Sequence, residues 1–168
     1  MNKSVIISRL LWIIPAVTIV LSMMFHSQSE HFRDWPFFVS ESDHSGLSSL
    51  IFTAGFMLSG ISLGVASWMM WAHEETITQN SIENISRISG ILSGICLCGL
   101  AVFDMYAFTL VHVFFASTLF CTGCVWMFTT YKAIKERDEK ANSQRLRFIW
   151  LGGIGWILMT VSMIAATL

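Results

Sequence analysis

Charged residues are scarce in this sequence. Asp, Glu, Lys and Arg together make up 12% of its 168 residues, whereas a typical soluble domain carries about 25%. Hydrophobic residues make up 54%. A single core of this size cannot hide so much apolar surface from water, so the composition excludes an ordinary soluble globular domain.

An excess of positive charge is also missing. Ten Lys and Arg residues stand against eleven Asp and Glu residues, which gives a net charge of −1. Nucleic-acid binding depends on neutralising phosphates with basic side chains, so this balance excludes it as a main role. The 13 Phe and 7 Trp residues exclude a disordered chain. The remaining class is an all-α, polytopic integral membrane protein.

Sequence motifs of catalysis are absent as well. The chain has no nucleophile elbow, no glycine loop that cradles phosphate, no HExxH motif and no paired catalytic carboxylates. Haem held between helices would need two facing histidines deep in the membrane, and His112 is alone there. We therefore predict no catalytic residue, no metal ligand and no cofactor.

Five apolar runs predict five transmembrane helices in one domain that covers residues 1–168. The runs cover residues 5–25, 47–72, 85–103, 106–131 and 148–168. A helix needs about 20 apolar residues to cross a bilayer, and continuous runs argue against alternating strands. No clean small-residue cleavage site follows the first run, so we expect it to be retained rather than removed as a signal peptide.

The distribution of basic residues predicts the orientation. Six of the ten Lys and Arg residues lie in the loop 132–147, whereas the loop 26–46 is mainly acidic. By the positive-inside rule, loop 132–147 and the N-terminus are inside, and loop 26–46 and the C-terminus are outside. Basic residues beside a membrane also attract anionic lipid, although the acidic residues between them weaken that attraction.

Small residues recur at helical spacing on the second and third spans. Gly55, Gly60 and Gly64 lie on the second span, and Gly90 and Gly94 lie on the third. Such stripes let helix backbones approach closely in a membrane. We expect an intrachain hairpin of these two spans, with a homodimer through one stripe as the alternative.

His112 is the ionisable residue deepest inside a predicted span, about two turns into the fourth. An ionisable residue within a membrane is a functional candidate by default. The simpler interpretation is a neutral imidazole that bonds to Thr109, Ser117 or another helix. Asp104 precedes His112 by eight residues, and on one continuous helix their side chains would not share a face.

Cys121 and Cys124 have the spacing of a redox CxxC pair. They fall in the inner half of the fourth span, near a reducing compartment, and cysteine is also a common small apolar residue in membrane helices. The histidines and carboxylates of the loop 26–46 offer ligands for a divalent cation. Their spacing matches no metal motif, and a solvated acidic loop is the alternative interpretation.

The loop 26–46 also contains a cluster of aromatic residues beside a proline: Trp35, Pro36, Phe37 and Phe38. This cluster is too apolar for free solvent, and we expect it to fold back on the membrane surface or to cap the bundle. Ser40 and Glu41 follow it. They are candidates to cap the second span or to hold the loop against His112, and a cap at Ser48 or Ser49 is equally consistent with the sequence.

The run from Trp35 to Ser42, followed by a small-residue-rich helix, resembles the Frag1/DRAM/Sfk1 family, whose first outer loop has a Pro-Phe and then Ser-acid pattern. Val111, His112 and Ala116 look like the histidine-bearing helix of that family. A bacterial and archaeal family of unknown function has a similar loop and helix. The resemblance covers roughly residues 1–130 and implies a multipass membrane modulator linked to lipid remodelling, phosphoinositide signalling or autophagy. The family usually has six spans, against five predicted here.

These features together predict a non-catalytic membrane protein. We expect it to bind membrane lipids, a second copy of itself or another membrane protein, and no nucleic acid. One alternative is a membrane oxidoreductase or lipid-modifying enzyme that uses His112 with Cys121 and Cys124. A second alternative is an oligomeric transporter or channel.

Overall fold

The computed structural model describes residues 3–29, 39–44, 46–71 and 81–134, together with single helical positions between residues 143 and 161. Along the chain these residues form α1 (Lys3–His26), a short 3-10 helix (Val39–Asp43), α2 (Gly46–Trp71), α3 (Ser81–Val102) and α4 (Thr109–Ile134). These described residues contain no β-strand. The all-α fold class that the sequence predicts is therefore confirmed.

Three of the helices are long and apolar enough to cross a membrane, judged by length and composition. These segments are Gly46–Met70, Ser81–Val102 and Thr109–Ala133. The shortest has 22 residues, which at about 1.5 Å per residue exceeds the roughly 30 Å of a bilayer's hydrocarbon core. They coincide with the second, third and fourth predicted spans, and they support the prediction of a membrane protein.

The other two predicted spans are described less completely. The first, 5–25, lies within α1, whose described apolar part is the shorter stretch Ile13–His26. The fifth, 148–168, is represented by single helical positions such as 152–154. The side chain of Met127 approaches Gly152, because a Cβ on that glycine would lie 3.4 Å from the Met127 Cε atom. Gly152 therefore lies beside α4.

The helices pack in chain order: α1 against α2, α2 against α3, and α3 against α4. Contacts between α2 and α3 join Met57 to Cys98, and Gly60 to Gly94. Because a residue later in α2 meets one earlier in α3, the two helices are antiparallel. A hydrogen bond between Ser86 and Thr130 and one from Ser93 to Thr122 show the same for α3 and α4.

One end of this bundle carries the 3-10 helix and the turn formed by residues 103–108, and we call it the loop end. The 3-10 helix contacts both α1 and α2. The hydroxyl of Ser40 lies 3.1 Å from the Met105 sulfur, which joins the 3-10 helix to the turn. The opposite end of the bundle holds the start of α3 and the end of α4.

Small polar side chains fill much of the interior, and large apolar side chains face outward. Among the described residues, the buried hydrophobic side chains are Phe52, Cys96 and Ala101, whereas the buried serines are more numerous. Several of the serine hydroxyls donate to carbonyl oxygens of their own helices, as Ser59 does to Gly55 at 2.7 Å and Ser93 to Ser89 at 2.8 Å. This arrangement suits helices that associate within lipid, where small residues allow close approach.

The predicted glycine stripes lie at the helix contacts. A Cβ on Gly60 would lie 2.6 Å from the Gly94 carbonyl oxygen, and a Cβ on Gly94 would lie 2.5 Å from that of Gly60. Gly55 abuts Thr18 of α1, and Gly90 abuts Ser67 of α2. The glycines therefore permit approaches that any side chain would block.

Gly64 differs from the other stripe glycines in the space around its Cβ position. A Cβ on Gly64 would meet nothing within 4 Å among the described residues, although its backbone nitrogen lies 2.9 Å from the Cβ position of Gly94. The backbone of Gly64 thus packs against Gly94, while the Cα–H of Gly64 points to open space.

Candidate functional site

His112 lies in the first turn of α4, because that helix begins at Thr109. The expectation that it sits two turns into its span was wrong, since the chain from residue 103 to 108 forms a turn and not the start of the helix. The imidazole is 3% exposed. Its Nδ1 atom lies 2.7 Å from the Phe103 carbonyl oxygen. A carbonyl oxygen only accepts, so Nδ1 carries the proton and donates it.

Asp104 organises the turn that precedes α4. Its Oδ1 atom accepts hydrogen bonds from the backbone N–H groups of Tyr106 at 2.9 Å and Ala107 at 2.7 Å. Its carbonyl oxygen accepts from the N–H of Phe108 at 3.1 Å. Because Asp104 and His112 are not on one continuous helix, the expectation that they lie on different faces of one helix does not apply.

The 3-10 helix buries three consecutive polar residues at the loop end: Glu41, Ser42 and Asp43. Asp43 is 3% exposed. Its Oδ1 atom accepts hydrogen bonds from the hydroxyls of Ser49 at 3.0 Å and Thr53 at 3.4 Å, both on α2. Its Oδ2 atom is buried, and none of the described residues donates a hydrogen bond to it. Asp43 thus ties the 3-10 helix to the first turns of α2.

The environment of Asp43 raises the pKa of its carboxyl group above the ordinary value. Burial is the largest cause, and the negative charge of Asp104 adds to it. The hydrogen bonds from Ser49 and Thr53, and the nearby His112, act in the opposite direction. Asp104 and His112 therefore both lie within electrostatic reach of Asp43.

Sequence reasoning placed Ser40, Glu41, Asp104 and His112 at this end of the molecule, and the structure places all four there. It did not single out Asp43, which it counted among the solvated loop carboxylates. The signal was the serine and threonine pattern at the start of α2, which offers donors to a carboxylate. The predicted aromatic cluster of Trp35, Pro36, Phe37 and Phe38 lies outside the described residues.

No metal site forms among the residues that the structure describes. None of their His, Cys, Asp and Glu side chains assemble in groups of three or more that could hold an ion. Part of the loop 26–46, including His31 and Asp34, lies outside the described ranges.

A groove runs between α3 and α4 on the outer surface of the bundle. Its volume is about 270 Å³, and its lining consists of Ile85, Ile88, Ser89, Leu92, Cys121, Thr122 and Val125. The hydroxyls of Ser89 and Thr122 bond within their own helices, to Ile85 at 2.7 Å and to Thr118 at 2.8 Å. The groove therefore presents an apolar surface, just below the roughly 300 Å³ at which small-molecule pockets begin.

Cys121 and Cys124 are free thiols, and Cys121 is exposed in the groove. They lie nine and twelve residues after His112 on the same helix. At about 1.5 Å per residue, His112 and Cys121 are separated by roughly 13 Å along α4. The structure thus places the histidine at the loop end and the cysteines near the middle of the helix, so they do not share a site.

Two basic side chains lie near the opposite end of the bundle. The Arg87 guanidinium lies 5.2 Å from the Trp68 ring centre on α2 and bonds to Asn84 at 3.3 Å. The Lys132 ammonium lies 4.7 Å from the Phe128 ring centre on α4. Arg87 therefore serves the contact between α2 and α3, whereas Lys132 extends along the exposed face of α4.

No protein-family model matches this chain, and neither the curated proteins nor the solved structures contain a match to it. The resemblance to the Frag1/DRAM/Sfk1 family accordingly stays a prediction from the loop and helix residues.

Proposed function

We propose that this protein is a non-catalytic membrane protein that binds lipid, with an acyl chain seated in the groove between α3 and α4. It crosses the membrane five times, with its N-terminus and the loop 132–147 inside. The accumulation of basic residues in that loop supports the orientation. A membrane-protein partner, including a second copy of the chain, is the other occupant to test.

The groove is the observation that carries this proposal. It is concave, its walls are branched apolar side chains, and its two hydroxyl-bearing residues are already bonded within their helices. An occupant with polar groups would find few partners along these walls. A flexible hydrocarbon chain fills such a space with dispersion contacts on both sides.

The catalytic alternative has less support from the arrangement of its residues. A redox or lipid-modifying site would need His112 close to Cys121 and Cys124, and α4 holds them roughly 13 Å apart. The Nδ1 atom of His112 is also engaged by the Phe103 carbonyl oxygen. The histidine accordingly supports the fold of the turn between α3 and α4.

The transporter or channel alternative would need a polar path between helices. The glycine contact of α2 with α3 closes their interface, because the backbones at Gly60 and Gly94 leave no room for a Cβ atom. A hydrogen bond between Ser86 and Thr130 and one from Ser93 to Thr122 close the interface of α3 with α4. These two described interfaces therefore provide no such path.

Filling the groove tests the proposal. Leu92 lines the groove and Ile95 lies one turn further along α3 outside it; both are exposed apolar residues, at 39% and 56%. We expect Leu92→Trp to lower the amount of lipid that co-purifies in mild detergent, measured by native mass spectrometry. The matched control Ile95→Trp should retain the wild-type amount.

Equal lipid retention by both variants would contradict the proposed site. A comparison of cells with and without the protein extends the test to function, because a lipid-binding protein should alter membrane lipid composition. Unchanged lipids, together with no co-purifying lipid or partner, would contradict the proposal as a whole.

A further inference from the structure

We infer that the occupant of the groove is an anionic phospholipid whose phosphate group is bound by Lys132. This inference rests on the proposed function, and it adds the headgroup class, the residue that selects it and the leaflet that supplies it.

Lys132 lies on the same face of α4 as the groove. It follows Val125 by seven residues, and at about 100° per residue this brings the two side chains within roughly 20° of each other around the helix. Phe128 lies between Val125 and Lys132 along the helix axis, and the Lys132 ammonium lies 4.7 Å from the Phe128 ring centre. A path along the surface of α4 thus connects the apolar groove to a cation.

The spacing along α4 matches the dimensions of one lipid leaflet. Val125 and Cys121 precede Lys132 by seven and eleven residues, which corresponds to roughly 10 and 16 Å along the helix. Half of a hydrocarbon core of about 30 Å is roughly 15 Å. A lipid whose phosphate lies beside Lys132 would therefore place in the groove the half of its acyl chains that is farther from the phosphate.

The position of Lys132 also suits the membrane interface. It lies two residues before Ile134, the last residue of α4, and its side chain is exposed. Lysine stems lie along apolar surface while the ammonium group reaches the headgroup region. The leaflet concerned is the one on the side opposite the loop end.

The contacts of the other described helices do not cover this path along α4. Gly152 of the terminal segment approaches Met127, and Met127 lies about 160° around α4 from Val125. Arg87 lies about 160° around α3 from Ile85 and stacks on Trp68 of α2. The groove and Lys132 thus face lipid on a side of the bundle that neither contact occupies.

The experiment compares headgroups that carry the same acyl chains. The protein is reconstituted with phosphatidylglycerol, phosphatidylcholine or an equal mixture, and retained lipid is counted by native mass spectrometry. We expect wild type to prefer the anionic lipid by about fivefold, the factor that corresponds to one lysine near a membrane surface. Lys132→Gln should abolish this preference, and Lys132→Arg should keep it.

Arg87→Gln is the matched control, because it removes a cation at the same end of the bundle from a different face. It should leave the headgroup preference unchanged. Circular dichroism and gel filtration of each variant establish that it is folded.

Several results would overturn the inference, and one of them would also contradict the proposed function. Equal retention of both lipids by wild type, or a preference that survives in Lys132→Gln, overturns the inference and leaves the proposed function intact. Loss of preference in Arg87→Gln to the same extent as in Lys132→Gln shows a general charge effect and also overturns it. Absence of retained lipid from wild type contradicts both the inference and the proposed function.

Discussion

Asp43 is a buried carboxyl group whose two oxygens differ in their hydrogen bonds. It is 3% exposed, one of its oxygens accepts bonds from Ser49 and Thr53, and no described residue donates to the other oxygen. Its neutral form avoids most of the cost of burying a charge. Burial and the negative charge of Asp104 accordingly raise its pKa.

The raised pKa of Asp43 predicts a pH-dependent stability. The folded state binds the proton of Asp43 more tightly than the unfolded chain does. The contribution of this group to the stability of the fold is therefore present at low pH. That contribution is lost as the pH rises from the ordinary aspartate pKa through the raised folded pKa. Asp43→Asn keeps an oxygen that accepts from Ser49 and cannot ionise. We therefore expect the variant to gain stability relative to wild type as the pH rises.

Thermal unfolding of both proteins in detergent, between about pH 4 and about pH 8, measures this effect. The difference in Tm should favour Asp43→Asn increasingly towards the upper end of the range. A difference that stays constant with pH would show that Asp43 has the same pKa in the folded and unfolded states.

Helices α2 and α3 depend on glycine at particular positions rather than on a general abundance of small residues. Gly60 and Gly94 face each other so closely that a Cβ on either would lie about 2.5 Å from a carbonyl oxygen of the other helix. Gly64 is part of the same sequence stripe, yet its Cβ position is open among the described residues. Glycines of one stripe therefore differ in whether a larger side chain would fit at their position.

This difference between Gly94 and Gly64 gives a matched pair of variants. Gly94→Ala should lower the free energy of unfolding by about 1–3 kcal/mol, the usual range for overpacking. Gly64→Ala should be neutral or should stabilise by up to about 1 kcal/mol, because alanine favours the helix. Unfolding of both variants in the same detergent checks the prediction, and equal destabilisation would show that the two helices separate more easily than the structure indicates.

The start of α4 illustrates how one side chain sets an element boundary. The apolar run predicts a span from residue 106, whereas α4 begins at Thr109. Asp104 accepts the N–H groups of Tyr106 and Ala107, which holds these residues in a turn. His112 reaches back from the first turn of α4 to the Phe103 carbonyl oxygen. Apolar composition alone does not record these hydrogen bonds.

At the scale of the whole molecule, large apolar side chains face outward and small polar ones face inward. Leu110 is 86% exposed and Val20 is 64% exposed, whereas Ser22 and Ser67 are fully buried. In water this surface would drive aggregation. In lipid it is solvated, and the helices associate through close backbone contact and a few hydrogen bonds.

The predicted orientation of the whole chain determines which loops a protease reaches from outside the cell. In intact cells, trypsin should cut the loop 26–46 at Arg33 and should leave the loop 132–147 intact. After permeabilisation, cleavage should occur at Lys135 and its basic neighbours. Mass spectrometry of the fragments distinguishes the sites, and cleavage of the loop 132–147 from outside would reverse the orientation.

The sequence by itself determined the helical class and the position of the long apolar helices, because hydrophobic runs of about 20 residues have few alternatives in a membrane. It also indicated that glycines of α2 and α3 lie at the helix contacts. Tertiary structure alone decided that Asp43 is buried against α2, that Gly94 is closely confined and Gly64 is not, and that α3 and α4 leave a groove on the Lys132 face. These features depend on distances between residues far apart in the chain, which the pattern along one helix does not contain.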